Sequence, residues 1–189
     1  MQLVSPDTPT IRARCIEARR RMSPAQRSAA SDSIVRQLLR SRLFARSCSI
    51  GVYLAMSDEV DLDSFVRVAW ACGKRVFVPR ILRKHEMFFV EMRPESQLVR
   101  NHYGIWEVDD DRFFVPRSLD WIILPMVAFD AEMHRVGMGG GYYDRALAFA
   151  RHGHACAKPR LTGVAFARQQ VARLHANPWD IGVSRVFTE

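Results

Sequence analysis

The chain has 189 residues, 48% of them hydrophobic and 25% charged, which supports one hydrophobic core and predicts a single domain over residues 1–189, with residues 1–8 frayed. It contains no run of about 18 apolar residues and no apolar leader, so we expect a cytoplasmic protein without a membrane partner. The net charge is +8, and the four cysteines are widely spaced without a Cys-x-x-Cys pair, which argues against a disulfide framework or a zinc site.

Two helices are predicted at the N-terminal end. Residues 11–21 have a thin apolar face that contains Ile11 and Cys15, and arginines cover most of the remainder. The segment from Ser23 to Gln26 has the sequence of a capping box, in which each side chain can bind the backbone N–H of the other residue. A second helix is therefore expected to begin at this segment.

The positive charge is concentrated in this helical part, because residues 1–46 contain ten arginines and three acids. Three interpretations are open: a nucleic-acid surface, attraction of polyanionic small molecules such as ATP and a polyglutamylated cofactor, or a solvated helix face. No basic stripe with interleaved aromatic residues and no helix-turn-helix pattern is present, so no nucleic-acid partner is expected.

Apolar runs predict the strands of a sheet, and helical segments at residues 62–72 and 169–174 separate some of them. Pro79 is expected to end the second strand, and the third is expected at an edge. This alternation predicts an α/β fold: a single three-layer domain with a central, mostly parallel sheet and helices on both faces. The predicted strands are residues 48–54, 75–80, 87–92, 120–125 and 160–166, with a last strand within residues 177–188.

The segment after the first strand, residues 55–61, lies where open α/β sheets place ligand loops. It ends in Asp61, directly before the predicted helix at residues 62–72. Asp61 is well placed to cap this helix, and a ligand-binding role is the alternative.

The most informative run covers residues 135–145, where four of the ten glycines fall within five positions. An apolar strand precedes it, and a helix over residues 142–150 follows. Glycine lets backbone N–H groups approach a ligand, and a helix N-terminus attracts anions, so this strand-loop-helix unit predicts a phosphate site bracketed by Arg135 and Arg145. It matches neither the Walker A pattern nor the dinucleotide pattern, and a surface loop with a helix cap is the alternative.

The run Gly-x-Gly-Gly-Gly-Tyr-Tyr-Asp-Arg at residues 137–145, after an apolar strand and Phe-Asp, resembles the signature of the 5-formyltetrahydrofolate cyclo-ligase (methenyltetrahydrofolate synthetase) family. Residues 55–61, residues 101–107 and the pair Trp179-Asp180 also resemble family segments. The resemblance implies ATP-dependent cyclisation of 5-formyltetrahydrofolate to methenyltetrahydrofolate, with release of ADP and phosphate, in one-carbon metabolism. It also implies ATP and reduced folate as partners, Mg²⁺ as cofactor and a monomer.

The resemblance assigns roles to individual residues. Catalytic roles fall on Arg145 and Tyr142, and Asp144 is the implied Mg²⁺ ligand. The implied ATP contacts are Arg12, Arg135, Val136, Gly137, Met138, Gly139, Gly140, Gly141, Tyr142 and Tyr143. The implied folate contacts are Met56, Asp61, Met138, Gly139, Gly140, Gly141 and Tyr142.

The sequence also departs from the family pattern. Thr8 stands where relatives carry a lysine that contacts ATP, Val108 replaces a proline, and Ser184 stands where some relatives carry a second metal-binding acid. Tyr103, Ile105 and Trp106 fit either a pterin pocket or the core. Three rival functions follow: a binder of folate or nucleotide without turnover, a phosphosugar isomerase or acyl-transferring relative, and an RNA-binding module.

Overall fold

The structure is a computed structural model that describes residues 7–82, 86–101, 104–152 and 159–189. Residues 1–6 of the predicted frayed start lie outside this range, and Thr8 is already helical. Asp7 is the N-cap of the first helix, and its carboxylate accepts a hydrogen bond of 3.0 Å from the Thr10 N–H.

Three helices of the described residues begin at a residue whose side chain caps the helix, namely Asp7, Ser23 and Ser41. The predicted capping box is confirmed: Ser23 Oγ accepts from the Gln26 N–H at 3.2 Å, and Gln26 Oε1 accepts from the Ser23 N–H at 2.8 Å. The α-helices of the described residues are α1 (Thr8–Arg20), α2 (Pro24–Arg40), α3 (Arg42–Arg46), α4 (Asp63–Ala71) and α5 (Tyr142–Ala146). Short 3-10 helices cover Pro116–Ser118, Ala148–His152 and Ala167–Gln169.

A six-stranded sheet organises the fold, in the order β10-β9-β6-β1-β2-β3. All neighbours in it are parallel except β2 and β3, so the predicted mostly parallel sheet is confirmed and β3 is its antiparallel edge. Two hairpins, β4-β5 and β7-β8, lie outside this sheet. The strands are β1 (Ser49–Gly51), β2 (Arg75–Ile81), β3 (Met87–Met92), β4 (Leu98–Arg100), β5 (Trp106–Val108), β6 (Trp121–Pro125), β7 (Ala128–Phe129), β8 (Arg135–Val136), β9 (Arg160–Val164) and β10 (Arg185–Phe187).

Alternate residues of the central strand β6 face two separate layers of the core, as expected for a sheet covered on both sides. Trp121 belongs to the cluster formed with α2 and α4, and its ring meets the Phe65 ring edge-on at 5.7 Å. Ile122 belongs to the cluster on the other face, together with Leu147 from the segment that follows α5. The three-layer prediction is therefore confirmed.

Some element boundaries differ from the prediction. Strand β1 covers Ser49–Gly51 rather than residues 48–54, and α4 covers Asp63–Ala71 rather than residues 62–72. Pro79 lies inside β2 instead of ending it. The physical reason is that β1 pairs with β2 only as far as Phe77, so Pro79 has a neighbouring strand on one side alone, where a residue without an N–H is tolerated.

The predicted helix at residues 169–174 is wrong. Gln169 ends a 3-10 helix, and its buried side chain donates hydrogen bonds to the carbonyls of Met126 and Val127 at 2.7 and 2.9 Å. The Val171 N–H then binds the Phe129 carbonyl at 2.9 Å. These long-range bonds hold the segment extended. The predicted helix at residues 142–150 is also interrupted, because α5 ends at Ala146 and a 3-10 helix follows.

The glycine-rich loop does not follow the sheet directly. The hairpin β7-β8 intervenes between β6 and the loop, which then leads into α5. Among the helices of the described residues, none is long and apolar enough to cross a lipid bilayer.

Candidate functional site

A cavity of about 860 Å³ opens at the carboxyl ends of β1, β2 and β6, where α/β folds place their ligands. The β6 end contributes Pro125 and the two residues after it, and the β1 end contributes Tyr53 and Leu54. The glycine loop forms another wall. The cavity therefore brings the two predicted ligand segments, residues 55–61 and 135–145, to one place.

The glycine loop follows β8 and needs glycine at specific positions. Gly139 has φ +101° and Gly141 has φ +62°, values that side chains with a Cβ adopt only with strain. A Cβ on Gly140 would lie 2.7 Å from the Tyr142 ring. The glycines thus permit both the backbone path and the close packing of Tyr142 against the loop.

Two arginines from different helices bind carbonyl groups of this loop. Arg12 of α1 donates from Nε to the Gly137 carbonyl at 2.8 Å, and Arg145 of α5 donates from Nη2 to the Gly140 carbonyl at 2.7 Å. The Arg145 guanidinium also lies 5.2 Å from the centre of the Tyr142 ring. Both guanidinium groups line the cavity beside the loop.

A third arginine is buried behind the loop. Arg135 has a side chain only 4% exposed, and its Nη2 donates to Asp144 Oδ1 at 2.6 Å. The same oxygen accepts from the Ile181 N–H at 3.2 Å. Arg135 Nε has no hydrogen-bond partner within the described residues, although it is buried.

Another part of the lining contains a largely buried acid. Glu59 lines the cavity, and its Oε2 accepts from the Met56 N–H at 3.1 Å. Burial raises the pKa of Glu59, although the Met56 N–H and the nearby Arg19 favour the ionised form. Burial likewise raises the pKa of the Tyr53 and Tyr143 phenols, so both stay protonated at neutral pH.

The β4-β5 hairpin supplies the remaining apolar side of the cavity. Ile105 and Trp106 line it and are partly exposed, which favours the pocket interpretation over the core, whereas Tyr103 lies outside the described residues. Glu107 is buried, and its Oε1 accepts from the Ile81 N–H at 3.1 Å and from Asn101 Nδ2 at 2.8 Å. Glu107 thereby ties the hairpin to β2.

The cavity brings together nearly all of the predicted site residues, and Asp61 is the exception. Asp61 is exposed, does not line the cavity, and uses Oδ1 to accept from the Asp63 N–H at 2.8 Å. Asp61 is therefore not the N-cap of α4, which is Leu62, but its carboxylate binds the N–H of the first residue of that helix. The residues that line the cavity are Arg12, Met56, Arg135, Val136, Gly137, Met138, Gly139, Gly140, Gly141, Tyr142, Tyr143, Asp144 and Arg145.

The sequence analysis missed several residues of the lining. Glu59 lies within the predicted ligand segment, but its motif position gives no sign that it faces inward. Arg151 and His175 belong to segments without a ligand signature, and only the fold brings them to the cavity. Trp179 and Asp180 line it beside them, as the family segment containing them suggests.

Few groups of this site are suited to hold a metal ion. No group of three or more His, Cys, Asp or Glu side chains with metal-binding geometry occurs in the described part of the chain. Ser184 lies outside the cavity lining and donates its hydroxyl to the Leu161 carbonyl at 2.7 Å. Asp144 is the carboxylate closest in the chain to the glycine loop.

Comparison with known proteins agrees with this architecture. The sequence profile of the 5-formyltetrahydrofolate cyclo-ligase family matches residues 4–189. A 5-formyltetrahydrofolate cyclo-ligase of Escherichia coli K12 is 32% identical over 176 residues, which covers 91% of this chain and 94% of that protein. The mouse enzyme of the same name is 25% identical over 187 residues, which covers 95% of this chain and 92% of the mouse protein.

Solved structures give the same result. The NMR structure of Aquifex aeolicus 5,10-methenyltetrahydrofolate synthetase superimposes with a TM-score of 0.80 at 28% identity, covering 95% of this chain and 88% of that one. A Mycoplasma pneumoniae 5,10-methenyltetrahydrofolate synthetase has the same fold, with a TM-score of 0.76 at 22% identity. The match covers 97% of this chain and 99% of that one. The fold, the glycine loop and these matches lead to one conclusion: the chain belongs to the 5-formyltetrahydrofolate cyclo-ligase family.

Proposed function

We propose that this protein catalyses the ATP-dependent cyclisation of 5-formyltetrahydrofolate to methenyltetrahydrofolate, with release of ADP and phosphate. The observation that carries the proposal is the composition of the cavity described above. One side has a glycine loop with Arg12, Arg135 and Arg145, which suits phosphates. The lining also contains apolar residues such as Leu54, Met87 and Trp106 and a largely buried carboxylate at Glu59, which suits a flat heterocycle with polar edges.

The reaction needs ATP because the formamide oxygen is a poor leaving group. The formyl oxygen attacks the γ-phosphorus of ATP, the bond from this phosphorus to the ADP oxygen breaks, and ADP leaves. The formyl carbon then belongs to a phosphorylated iminium group. The neighbouring folate nitrogen attacks this carbon, its proton passes to solvent, and the ring closes as the carbon–oxygen bond breaks and phosphate leaves.

Phosphoryl transfer asks the protein chiefly for positioning and charge neutralisation. Arg12 and Arg145 bind loop carbonyls through single N–H groups, and a guanidinium has five such donors, so each arginine retains donors for phosphate oxygens. Arg135 contributes positive charge behind the loop, where it is paired with Asp144. Together the three arginines supply positive charge around the glycine loop.

The folate occupies the apolar side in this proposal. Leu54, Met56 and Met87 provide the wall, and Trp106 provides an aromatic face at the mouth. Met138 through Tyr142 lie between the two sides, so the formyl group and the γ-phosphate meet at the glycine loop. Leu54 and Met87 are apolar, and an apolar lining helps to keep water away from the phosphorylated intermediate.

Mg²⁺ fits this site only as a companion of the nucleotide. Magnesium bound with ATP commonly takes one or two protein carboxylates, and phosphate oxygens and water complete its octahedron. Asp144 is the carboxylate for this role, since its Oδ1 is held by Arg135 and the Ile181 N–H, which fixes the group beside the loop. When bound, Mg²⁺ would neutralise charge on the phosphates; Asp144 would orient it.

The same proposal covers partners and location. ATP and reduced folate are the small-molecule partners, with no nucleic-acid or membrane partner, and a monomer in the cytoplasm is the working form. A basic N-terminal helix then serves to attract anionic ligands, since Arg12 of α1 faces the cavity.

A second candidate is a protein that binds ATP and folate without turnover. One observation favours it: Thr8, in place of the family lysine, lines the cavity and brings no charge. The test is the absorbance of purified protein with 5-formyltetrahydrofolate and Mg-ATP. Growth of the near-ultraviolet band of methenyltetrahydrofolate, dependent on ATP, supports the cyclo-ligase. A flat trace with calorimetric binding of both ligands supports the second candidate.

A further inference from the structure

We propose that Asp130 is a positioning residue for ATP binding, because it closes a ring of contacts that sets the place of Arg135 behind the glycine loop. The inference rests on the proposed function and deepens it by adding a residue that touches neither ligand. Asp130 is 1% exposed and does not line the cavity. Its effect on the site therefore passes through the residues that it binds.

The carboxylate of Asp130 accepts hydrogen bonds from two parts of the chain. Oδ1 accepts from the Glu132 and His134 N–H groups, each at 3.0 Å, and both donors belong to the turn between β7 and β8. Oδ2 accepts from the Leu174 N–H at 2.9 Å and lies 3.1 Å from His134 Nδ1. A carboxylate offers about four acceptor positions, so these contacts use them fully. Asp130 thus joins the β7-β8 turn to the segment that begins at Leu174.

The turn that Asp130 holds leads directly into Arg135. The Asp130 N–H donates to the His134 carbonyl at 3.2 Å, and the Met133 N–H donates to the Asp130 carbonyl at 3.2 Å. Met133 has φ +66°, in the left-handed region that a residue with a Cβ adopts only under constraint. The carboxylate supplies this constraint, because it binds the backbone N–H groups on both sides of Met133.

The second part of the chain that Asp130 holds is a wall of the cavity. Residues 174–183, all within the described part of the chain, form neither helix nor strand, so their position depends on bonds to other segments. The Leu174 N–H binds Asp130 at the start of this wall, and the Ile181 N–H binds Asp144 Oδ1 at 3.2 Å near its end. Four residues between these two bonds line the cavity: His175, Asn177, Trp179 and Asp180.

The wall also packs directly on the turn. The Val183 N–H donates to the Met133 carbonyl at 3.2 Å, and a Cβ on Gly182 would lie 3.3 Å from the same oxygen. The turn and the wall therefore meet at a second point, so a shift of one is passed to the other.

These contacts form a closed ring that passes through Arg135. The chain leads from Asp130 to Arg135, and Arg135 Nη2 donates to Asp144 Oδ1 at 2.6 Å. The same oxygen accepts from the Ile181 N–H, and the wall leads back to Leu174 and Asp130. The Arg135 side chain is 4% exposed, so it has little room to reorient unless this ring opens.

Arg135 differs in this dependence from the other two arginines beside the glycine loop. Arg12 and Arg145 each bind a loop carbonyl directly, at 2.8 and 2.7 Å. Arg135 is held instead by Asp144 and by the turn that precedes it. Loss of the Asp130 contacts is therefore expected to weaken ATP binding through Arg135 and to leave folate binding nearly unchanged.

Asp130→Asn opens the ring with little change in volume. The asparagine NH2 group replaces one oxygen and meets an N–H donor whichever way the amide turns, because both oxygens of Asp130 accept from backbone N–H groups. Titration calorimetry with Mg-ATP and, separately, with 5-formyltetrahydrofolate measures the two Kd values. The variant is expected to raise the ATP Kd at least fivefold and to leave the folate Kd within twofold. An ATP Kd within twofold of wild type overturns the inference.

Leu38→Ala is the control for a general loss of stability. Leu38 is fully buried in the core beneath α2 and does not line the cavity, so its truncation lowers stability without touching the ring. Urea unfolding is expected to give a lower midpoint for Leu38→Ala and for Asp130→Asn, whereas the ATP Kd of Leu38→Ala stays within twofold of wild type. A rise of the ATP Kd in Leu38→Ala as large as in Asp130→Asn would reduce Asp130 to a structural residue.

A double variant tests whether Asp130 acts through Arg135. Arg135→Gln removes the charge that the ring positions, and it is expected to raise the ATP Kd at least fivefold by itself. Addition of Asp130→Asn to Arg135→Gln is expected to raise the ATP Kd by less than a further twofold, because two residues of one network are not additive. Full additivity of the two effects overturns the inference.

Hydrogen exchange of the wild-type protein gives a reading that needs no folded variant. ATP that binds only the closed ring lowers the population in which the Leu174 N–H is free to exchange. Saturating Mg-ATP is expected to slow exchange at Leu174 at least tenfold, and 5-formyltetrahydrofolate alone less than twofold. Equal slowing by the two ligands, or none by Mg-ATP, overturns the inference.

These readings keep the inference separate from the proposed reaction. Wild-type protein that binds both ligands without forming methenyltetrahydrofolate contradicts the reaction alone. Weakened ATP binding in Arg135→Gln together with normal ATP binding in Asp130→Asn contradicts this inference alone.

Discussion

Arg12 of α1 donates a hydrogen bond of 2.8 Å from Nε to the carbonyl of Gly137, a residue 125 positions further along the chain. This bond joins the N-terminal helix to the glycine loop. A Cβ on Gly139 would lie 3.5 Å from the Arg12 guanidinium carbon, so the arginine also packs over the loop backbone. The glycine-loop side of the cavity therefore depends on an intact loop path and on the arginines around it.

Gly139→Val is expected to abolish measurable ATP binding while the protein stays folded. Valine at φ +101° is strained, by roughly 1–3 kcal/mol, and the loop must move to relieve the strain. Gly73→Val is the matched control, since Gly73 also has positive φ (+70°) but ends α4 away from the cavity. Calorimetric titration with ATP checks both variants. Normal ATP affinity in folded Gly139→Val would disprove the phosphate role of the loop.

Arg145→Ala is expected to lower turnover or raise the ATP KM by at least tenfold. The change removes a cation that lies over Tyr142 and binds the Gly140 carbonyl. Arg40→Ala, an exposed residue at the end of α2, is the control for loss of one positive charge. Steady-state kinetics at varied ATP measures the effect, and wild-type constants in Arg145→Ala would remove this arginine from the site.

Asp144→Asn is expected to raise the Mg²⁺ concentration for half-maximal activity at least tenfold. Asparagine can still accept from Arg135 and the Ile181 N–H, so the loop geometry is retained while the charge is lost. Asp32→Asn, on the exposed face of α2, is the control. A Mg²⁺ titration at fixed ATP reads the change. An unchanged Mg²⁺ concentration for half-maximal activity would show that Asp144 pairs with Arg135 and does not bind the metal.

Asp130→Asn is expected to lower the free energy of unfolding by about 2–4 kcal/mol at pH 7. Asp130 is 1% exposed and accepts from the backbone N–H groups of Glu132, His134 and Leu174. Burial opposes its ionisation, but hydrogen bonds from the Leu174 N–H and from the side chain and N–H of His134 outweigh burial and hold its pKa below the ordinary 3.8.

The sign of the pH dependence follows from that lowered pKa. The stabilisation by Asp130 is present above about pH 3.8 and is lost as the pH falls through the lower folded-state value. The difference in the free energy of unfolding between wild type and Asp130→Asn should therefore become smaller below about pH 4. Urea unfolding at pH 7 and pH 3 measures it, with Glu132→Gln as the exposed control. A difference in the free energy of unfolding that is larger at pH 3 than at pH 7 would contradict this account.

Much of the fold could be predicted because local signals agreed with the long-range structure. The Ser23 capping box, the edge strand β3 and the alternating elements all follow from short-range rules. The 169–174 segment could not be predicted, since its extended path depends on Gln169 binding carbonyls more than forty residues away. The end of β2 could not be predicted either, because β2 continues through Pro79 only where β1 no longer pairs with it.

The candidate site likewise has parts that could be predicted from the sequence and parts that could not. The glycine loop and its bracketing arginines have a local signature, so they could be predicted from sequence. Glu59 and Asp61 lie two residues apart in one ligand segment, and only the turn after β1 decides which of them faces the cavity. Arg151 and His175 reach it through the tertiary fold alone. Orientation within a loop and contributions from distant segments are properties that periodicity does not encode.

The most direct test of the central claim measures products in one reaction mixture. Purified protein is incubated with 5-formyltetrahydrofolate and Mg-ATP, and the absorbance of methenyltetrahydrofolate is followed together with ADP and phosphate release. The account predicts one ADP and one phosphate for each methenyltetrahydrofolate formed, with both signals lost in Gly139→Val and kept in Gly73→Val. ATP hydrolysis without cyclisation, or no reaction by folded wild-type protein, would contradict it.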